Sequence, residues 1–170
     1  MQTGNGRTGT LYAYEHEGVV PDILTTAKGL GGGLPIGAVL AREDVAAAFV
    51  PGSHGTTFGA NPVCCAAALA VLGVLIDGGV IENAARVGAY FRASLEDALA
   101  GRDDVAEVRG KGLMIGVELR RDAKPIVRAL LERGVVANAT AGTVLRIIPP
   151  LILSEAEVDE GIAVLKEVLA

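Results

Sequence analysis

The sequence predicts an α/β fold in two parts, and three observations carry that expectation. Short apolar, β-branched runs alternate with helical stretches along the chain. Glycine is crowded into residues 1–60, whereas the rest is more amphipathic and richer in helical pattern. The change of texture is closed by Asp77-Gly78-Gly79, a glycine stop after a long apolar stretch. Residues 1–79 are therefore expected to form one part, ending in a helix at 61–77, and residues 80–170 a small second α/β domain.

In the first part, residues 23–26 read as a short buried strand and residues 36–40 as a second. Residues 42–49 read as a short helix. Asn61 is a favoured N-cap and Pro62 a favoured first helical residue. Residues 63–76 follow without one polar side chain, the pattern of a helix buried on every side. In the second part, residues 81–100 read as a helix whose solvated face carries Glu82, Arg86, Arg92 and Glu96. Strands are expected at 105–109 and 113–119, around Gly110-Lys111-Gly112. A helix at 125–133 is closed by Gly134, and strands follow at 135–137 and 144–148. A last helix spans 154–169, with Ser154 and Glu157 spaced as a capping box.

Composition excludes several functions. Hydrophobic residues make up 51% of the 170 and charged residues 21%, so the chain is not disordered. Fifteen Lys+Arg against twenty Asp+Glu leave a net charge of −5, which argues against nucleic acid or an anionic membrane as partner. Aromatics are 4% with no Trp, so a base-stacking surface is not expected. Cys64 and Cys65 are neighbours and cannot staple a fold, and with only His16 and His54 beside them no metal site is expected. The two thiols read as small apolar helix residues of a cytoplasmic protein. The longest apolar stretch, residues 64–76, is too short to span a bilayer, and no basic segment precedes an apolar run at the start.

Gly4, Gly6 and Gly9 satisfy G-x-G-x-x-G, but only three residues precede Gly4 and no long helix follows, so the dinucleotide fingerprint lacks its context. Lys28 is more informative. It follows a β-branched run, four of the next five residues are glycine, and it is the only charged residue between Ile23 and Val39. It reads either as a solvated surface charge or as an amine in a partly desolvated pocket, where its pKa falls and it becomes a nucleophile toward a carbonyl carbon. Arg146 sits between Val144-Leu145 and Ile147-Ile148, on a strand expected to be buried on both faces. A charge there needs a partner, and a substrate carboxylate suits the guanidinium fork.

The runs Gln2-Thr3-Gly4-Asn5-Gly6-Arg7-Thr8-Gly9, Gly18-Val19-Val20-Pro21-Asp22-Ile23 and Ala27-Lys28-Gly29-Leu30-Gly31-Gly32-Gly33-Leu34-Pro35-Ile36-Gly37-Ala38 resemble the class III pyridoxal-phosphate aminotransferases, most of all their acetylornithine aminotransferase subgroup. The resemblance continues through His54-Gly55-Thr56-Thr57-Phe58-Gly59-Ala60-Asn61-Pro62, Arg109-Gly110-Lys111-Gly112-Leu113-Met114 and Leu145-Arg146-Ile147-Ile148-Pro149-Pro150-Leu151, and so covers the whole chain. It implies the fold type I, aspartate-aminotransferase-like architecture. Residues 1–79 would be the C-terminal part of the large cofactor domain and 80–170 the small domain. It implies pyridoxal 5′-phosphate as cofactor and a homodimer with sites at the subunit interface. Lys28 would bond the cofactor and move the substrate proton, Gln2 would hydrogen-bond the phenolic oxygen, and Thr57 would bind the phosphate of the neighbouring subunit. Thr56 would lie beside substrate, and Arg146 would grip the substrate α-carboxylate.

The reaction implied is transfer of the terminal amino group of N-acetylornithine to 2-oxoglutarate, in arginine biosynthesis. The alternatives are a relative acting on ornithine, 4-aminobutyrate or succinylornithine, and a non-catalytic structural or dimerisation fragment. The family reads Asp-Glu-Val-Gln or close to it where this chain has Met1-Gln2, and that aspartate pairs with the ring nitrogen. The expectation is thus a C-terminal portion, from a truncated gene or a frame that starts further upstream, with impaired catalysis by itself. Ala60 stands where the family usually has glycine.

Overall fold

The computed structural model describes residues 1–169. The chain forms two compact units, one of Met1–Gly6 with Thr10–Val80, the other of Arg7–Gly9 with Ile81 onward.

The second unit is one layer of helices on an antiparallel sheet. Strands β3 (Val105–Lys111), β4 (Met114–Leu119), β5 (Asn138–Thr140) and β6 (Val144–Ile147) lie in the order β3-β4-β6-β5. Along β4, Ile115, Val117 and Leu119 are buried, while Met114, Gly116 and Glu118 alternate onto the opposite face. The buried face is covered by α3 (Val80–Ala98), α4 (Lys124–Glu132) and α5 (Glu155–Leu169), through Val87, Leu95, Ile126, Leu130, Val158 and Leu165. Each such side chain removed from water contributes about 1.5–3 kcal/mol. Helix α5 starts on the expected capping box: the Ser154 N–H donates to Glu157 Oε2 at 2.8 Å, and the Glu157 N–H donates to Ser154 Oγ at 3.3 Å. One expected strand is displaced. Residues 135–137 are irregular, and the edge strand is Asn138–Thr140, because Asn138 and Thr140 pair with Arg146 and Val144.

A short strap from early in the chain is built into this unit. The Arg7 guanidinium donates to the carbonyl of Leu113 at 3.1 Å and also to that of Pro149. The Leu113 N–H donates back to the Arg7 carbonyl at 3.0 Å. Arg7 is half-buried, and burial holds its pKa below the ordinary guanidinium value. The strap is admitted by glycine: a Cβ on Gly112 would lie 2.5 Å from the Thr8 carbonyl carbon, and one on Gly88 would lie 2.3 Å from the Gly112 carbonyl oxygen.

In the first unit, β1 (Ile23–Thr26) pairs antiparallel with β2 (Ala38–Ala41), and α1 (Glu43–Ala46) and α2 (Pro62–Asp77) follow. Asn61 caps α2 as expected, its Oδ1 accepting from the N–H groups of Val63 at 3.0 Å and Cys64 at 3.3 Å. Helix α1 is shorter than the expected 42–49. Two burial expectations are corrected. Strand β1 forms where expected, but Ile23 and Thr25 are exposed and only Thr26 is buried. Helix α2 is apolar all round, yet only Ala68 and Leu75 on it are buried, and Leu69 is 70% exposed. Burial requires a second packed layer, and two four-residue strands with their turns do not supply one. Among the described residues no single helix is long and apolar enough to cross a membrane.

Replacing Arg7 with Met keeps the apolar stem and removes donors from two carbonyls. Urea unfolding should show the second unit destabilised by about 1–3 kcal/mol per abandoned carbonyl. Stability should also depend on pH. The Arg102 and Arg121 guanidinium groups hold Asp104 below the ordinary carboxylate range. The Thr143 hydroxyl and then Arg109 do the same for Glu118, and the Ser154 N–H and hydroxyl for Glu157. Depressed carboxylates stabilise the fold above their unfolded pKa values, so their contribution is complete above about pH 5. It is lost as pH falls through the folded values, and the urea midpoint should drop over that range.

Candidate active site

Lys28 stands on a turn whose geometry is set on both sides. It follows β1 and Ala27, and it takes φ +56, the left-handed region that costs an L side chain about 1–2 kcal/mol. The turn that carries it, Lys28–Gly31, ends on Gly32 at φ +58. Two donors converge on the Ala27 carbonyl: the Asn5 side-chain amide at 2.9 Å and the Leu30 N–H at 3.3 Å. Asn5 also accepts from the Thr26 hydroxyl at 3.3 Å, and Asn5, Thr26 and Leu30 are all buried. A side chain that satisfies two neighbouring backbone and hydroxyl groups from a buried position offsets the strain at Lys28. The Lys28 side chain itself is exposed in this chain. Of the two readings left open for Lys28, its exposure within this chain matches the solvated one, and Gly29, Gly31, Gly32 and Gly33 add no side chains around it.

Gln2 is exposed and lies three residues before Asn5, so its segment is tied to the lysine turn through that amide. Thr56 and Thr57 lie in a separate exposed loop of the same unit. The Thr56 Oγ accepts from the Gly59 N–H at 3.1 Å, which folds that side chain into its own turn. Arg146 belongs to the second unit. It is half-buried on β6, and its Nε donates to Asn138 Oδ1 at 2.9 Å. The expected burial of its strand on both faces is only partly met: Val144 and Leu145 are buried, and Ile148 is 46% exposed.

Sequence reasoning assigned no role to Asn5, Arg7 or Asn138. Asn5 had a readable signal, since asparagine between two glycines tolerates the left-handed backbone and it takes φ +54 here. The cross-strand partner of Arg146 had none, because it depends on a register that the misplaced strand at 135–137 obscured. Ala60, where glycine was expected, takes φ +57. Ala60→Gly should relieve that strain and raise the unfolding free energy of the first unit by up to about 1 kcal/mol. An unchanged or lower urea midpoint would contradict this.

The family model Aminotransferase class-III matches residues 1–169. The acetylornithine aminotransferase of Caldanaerobacter subterraneus subsp. tengcongensis is 52% identical over 171 residues, covering 100% of this chain and 43% of the relative. That of Methanothermobacter thermautotrophicus is 51% identical over 170 residues, 100% of this chain and 44% of the relative. Among solved structures, the acetylornithine aminotransferase from Elizabethkingia anophelis superposes with a TM-score of 0.92 at 38% identity, covering 98% of this chain and 43% of the other. An ornithine aminotransferase from Toxoplasma gondii, a structure with partial occupancy of PLP at its active site, gives 0.93 at 41% identity over 98% and 40%. The chain thus spans a little over four-tenths of the length of the curated relatives it matches, 43% and 44% for these two. The expected fold type I architecture agrees with these superpositions. A match over residues 1–169 and relatives about half identical across the whole chain show that this protein belongs to the class III aminotransferase family.

Proposed function

We propose that this chain is the lysine-bearing portion of an aminotransferase that moves the terminal amino group of N-acetylornithine to 2-oxoglutarate. The observation that carries the reading is the strained, doubly anchored turn at Lys28, supported by whole-chain similarity to acetylornithine aminotransferases. Strain held in place by buried partners is typical of functional positions.

The chemistry of three side chains fits pyridoxal 5′-phosphate: Lys28 offers a primary amine to an aldehyde carbon, Gln2 an amide N–H to a phenolic oxygen, and Thr57 a hydroxyl to a phosphate. Arg146 offers a bidentate fork to the carboxylate of the substrate. The bound cofactor supplies an electron sink for negative charge at the substrate carbon. The protein's part is positional. The anchored turn fixes the backbone at Lys28, from which the amine would reach the cofactor's aldehyde carbon and would take and return the substrate proton. The proton-transfer role alone is worth about 10²–10⁴-fold in rate. Arg146 orients the substrate by its α-carboxylate, and Thr56 lies beside it. In this reading residues 1–79 end the large domain, residues 80–170 are the small domain, and the enzyme is a cytoplasmic homodimer in which Thr57 serves the partner's cofactor. Amino donors such as ornithine, 4-aminobutyrate or succinylornithine are the nearest alternatives.

A second reading, a piece that associates without catalysing, draws on the exposed apolar side chains of α2, among them Val63, Leu69 and Val74. One titration separates the two. On addition of pyridoxal phosphate, the absorbance band of the lysine-bound cofactor should develop in this chain and be lost in Lys28→Ala. Equal spectra would remove Lys28 from the site and favour association alone.

A further inference from the structure

The helix-facing side of the second unit is not filled everywhere. A cavity of about 40 Å³ lies where Phe91 of α3, Leu130 of α4, Ile147 of β6 and Ile162 and Leu165 of α5 come together. Residues 135–137, where the expected strand does not form, make another of its sides. Val136 among them is 82% exposed, so the cavity meets solvent there.

Two features of the sequence leave this space. After α4 the chain returns without ladder pairing, held to the helix by the Val135 N–H, which donates to the Leu130 carbonyl at 2.9 Å. The segment therefore caps the core edge without being drawn into the sheet. Helix α5 also carries glycine at position 161, in its interior, where a Cβ would meet no atom within 4 Å. Glycine inside a helix is unfavourable relative to alanine, and here it removes part of one wall.

The chemistry of the walls decides what the space can hold. One water needs only ~10–15 Å³ of such space, so the volume matches a group of about three heavy atoms. A buried water also needs about two to four polar partners, and among the described residues no polar side chain lines this cavity. Apolar cavities of this kind stay dry, and an apolar molecule entering one displaces no well-bound water. A ligand with hydrogen-bonding or charged groups would leave them unpaired.

We infer that this cavity is a binding site for small apolar molecules of about three heavy atoms, such as a short hydrocarbon. All of its walls belong to the second unit, so occupancy requires neither the cofactor nor Lys28.

Xenon is the probe, being apolar and compact. Methyl-resolved NMR of the full chain under increasing xenon pressure should show saturable shifts for Leu130, Ile147, Ile162 and Leu165. Half-saturation should fall on the order of millimolar dissolved gas. Leu99, which does not line the cavity, should not respond. Gly161→Val should fill the space and abolish the shifts. Should that variant not fold, Gly161→Ala should weaken them severalfold while raising the urea midpoint. Methanol, small but polar, should leave the same methyl groups unmoved. Absent or unsaturable xenon shifts in the wild type would overturn the inference. So would shifts that persist unchanged in a folded Gly161 variant, or that methanol reproduces.

Discussion

The Asn5 side-chain amide is the contact on which the lysine turn depends. It donates to the Ala27 carbonyl and accepts from Thr26, fixing the two residues that precede Lys28. Leu30, buried two residues later, pins the other side. Between these anchors the backbone enters a left-handed conformation that lysine alone would avoid. The amine is thereby displayed from a rigid base, although its long side chain remains exposed. A nucleophile has to arrive at one carbon from one direction, and a fixed base removes most of the conformations that would miss it.

The second unit meets the same requirement by different means. Its arginine stands on a strand paired on both sides, above a core that α3, α4 and α5 close. The Arg7 strap ties the carbonyls that lie just before β4 and just after β6, the two strands paired directly beside and at the arginine. Gly88 and Gly112 matter here only because they allow backbone to approach backbone. Asn138, across the ladder, accepts from the Arg146 Nε. Local rigidity is thus assembled from three modest interactions rather than one strong one.

Much of the element order was legible in the sequence, because it is written in periodicity and in punctuation. The alternation along β4, the Asn61-Pro62 start of α2 and the Ser154–Glu157 box at α5 each have a local cause that residue types reveal. Burial was not legible in the same way. The apolar run of α2 and the β-branched run of β1 specify surfaces that favour leaving water, but a surface becomes buried only if another layer arrives. Residues 135–137 show a further limit, since an irregular apolar run and an edge strand differ only in which residues find ladder partners.

The candidate site residues Lys28, Gln2, Thr56, Thr57 and Arg146 were nameable from motifs, and their local settings became visible only in three dimensions. Of the two amides that bond near them, Asn5 is marked in a linear reading by its flanking glycines, whereas Asn138 is not; the partners of both come from what lies opposite them in space. The central claim is that the Lys28 amine is the one that bonds the cofactor. Borohydride reduction in the presence of pyridoxal phosphate, followed by peptide mass mapping, tests it directly. The peptide containing Lys28 should carry a single dominant label. A label spread evenly over Lys111, Lys124 and Lys166, with Lys28 no more reactive than they are, would contradict it.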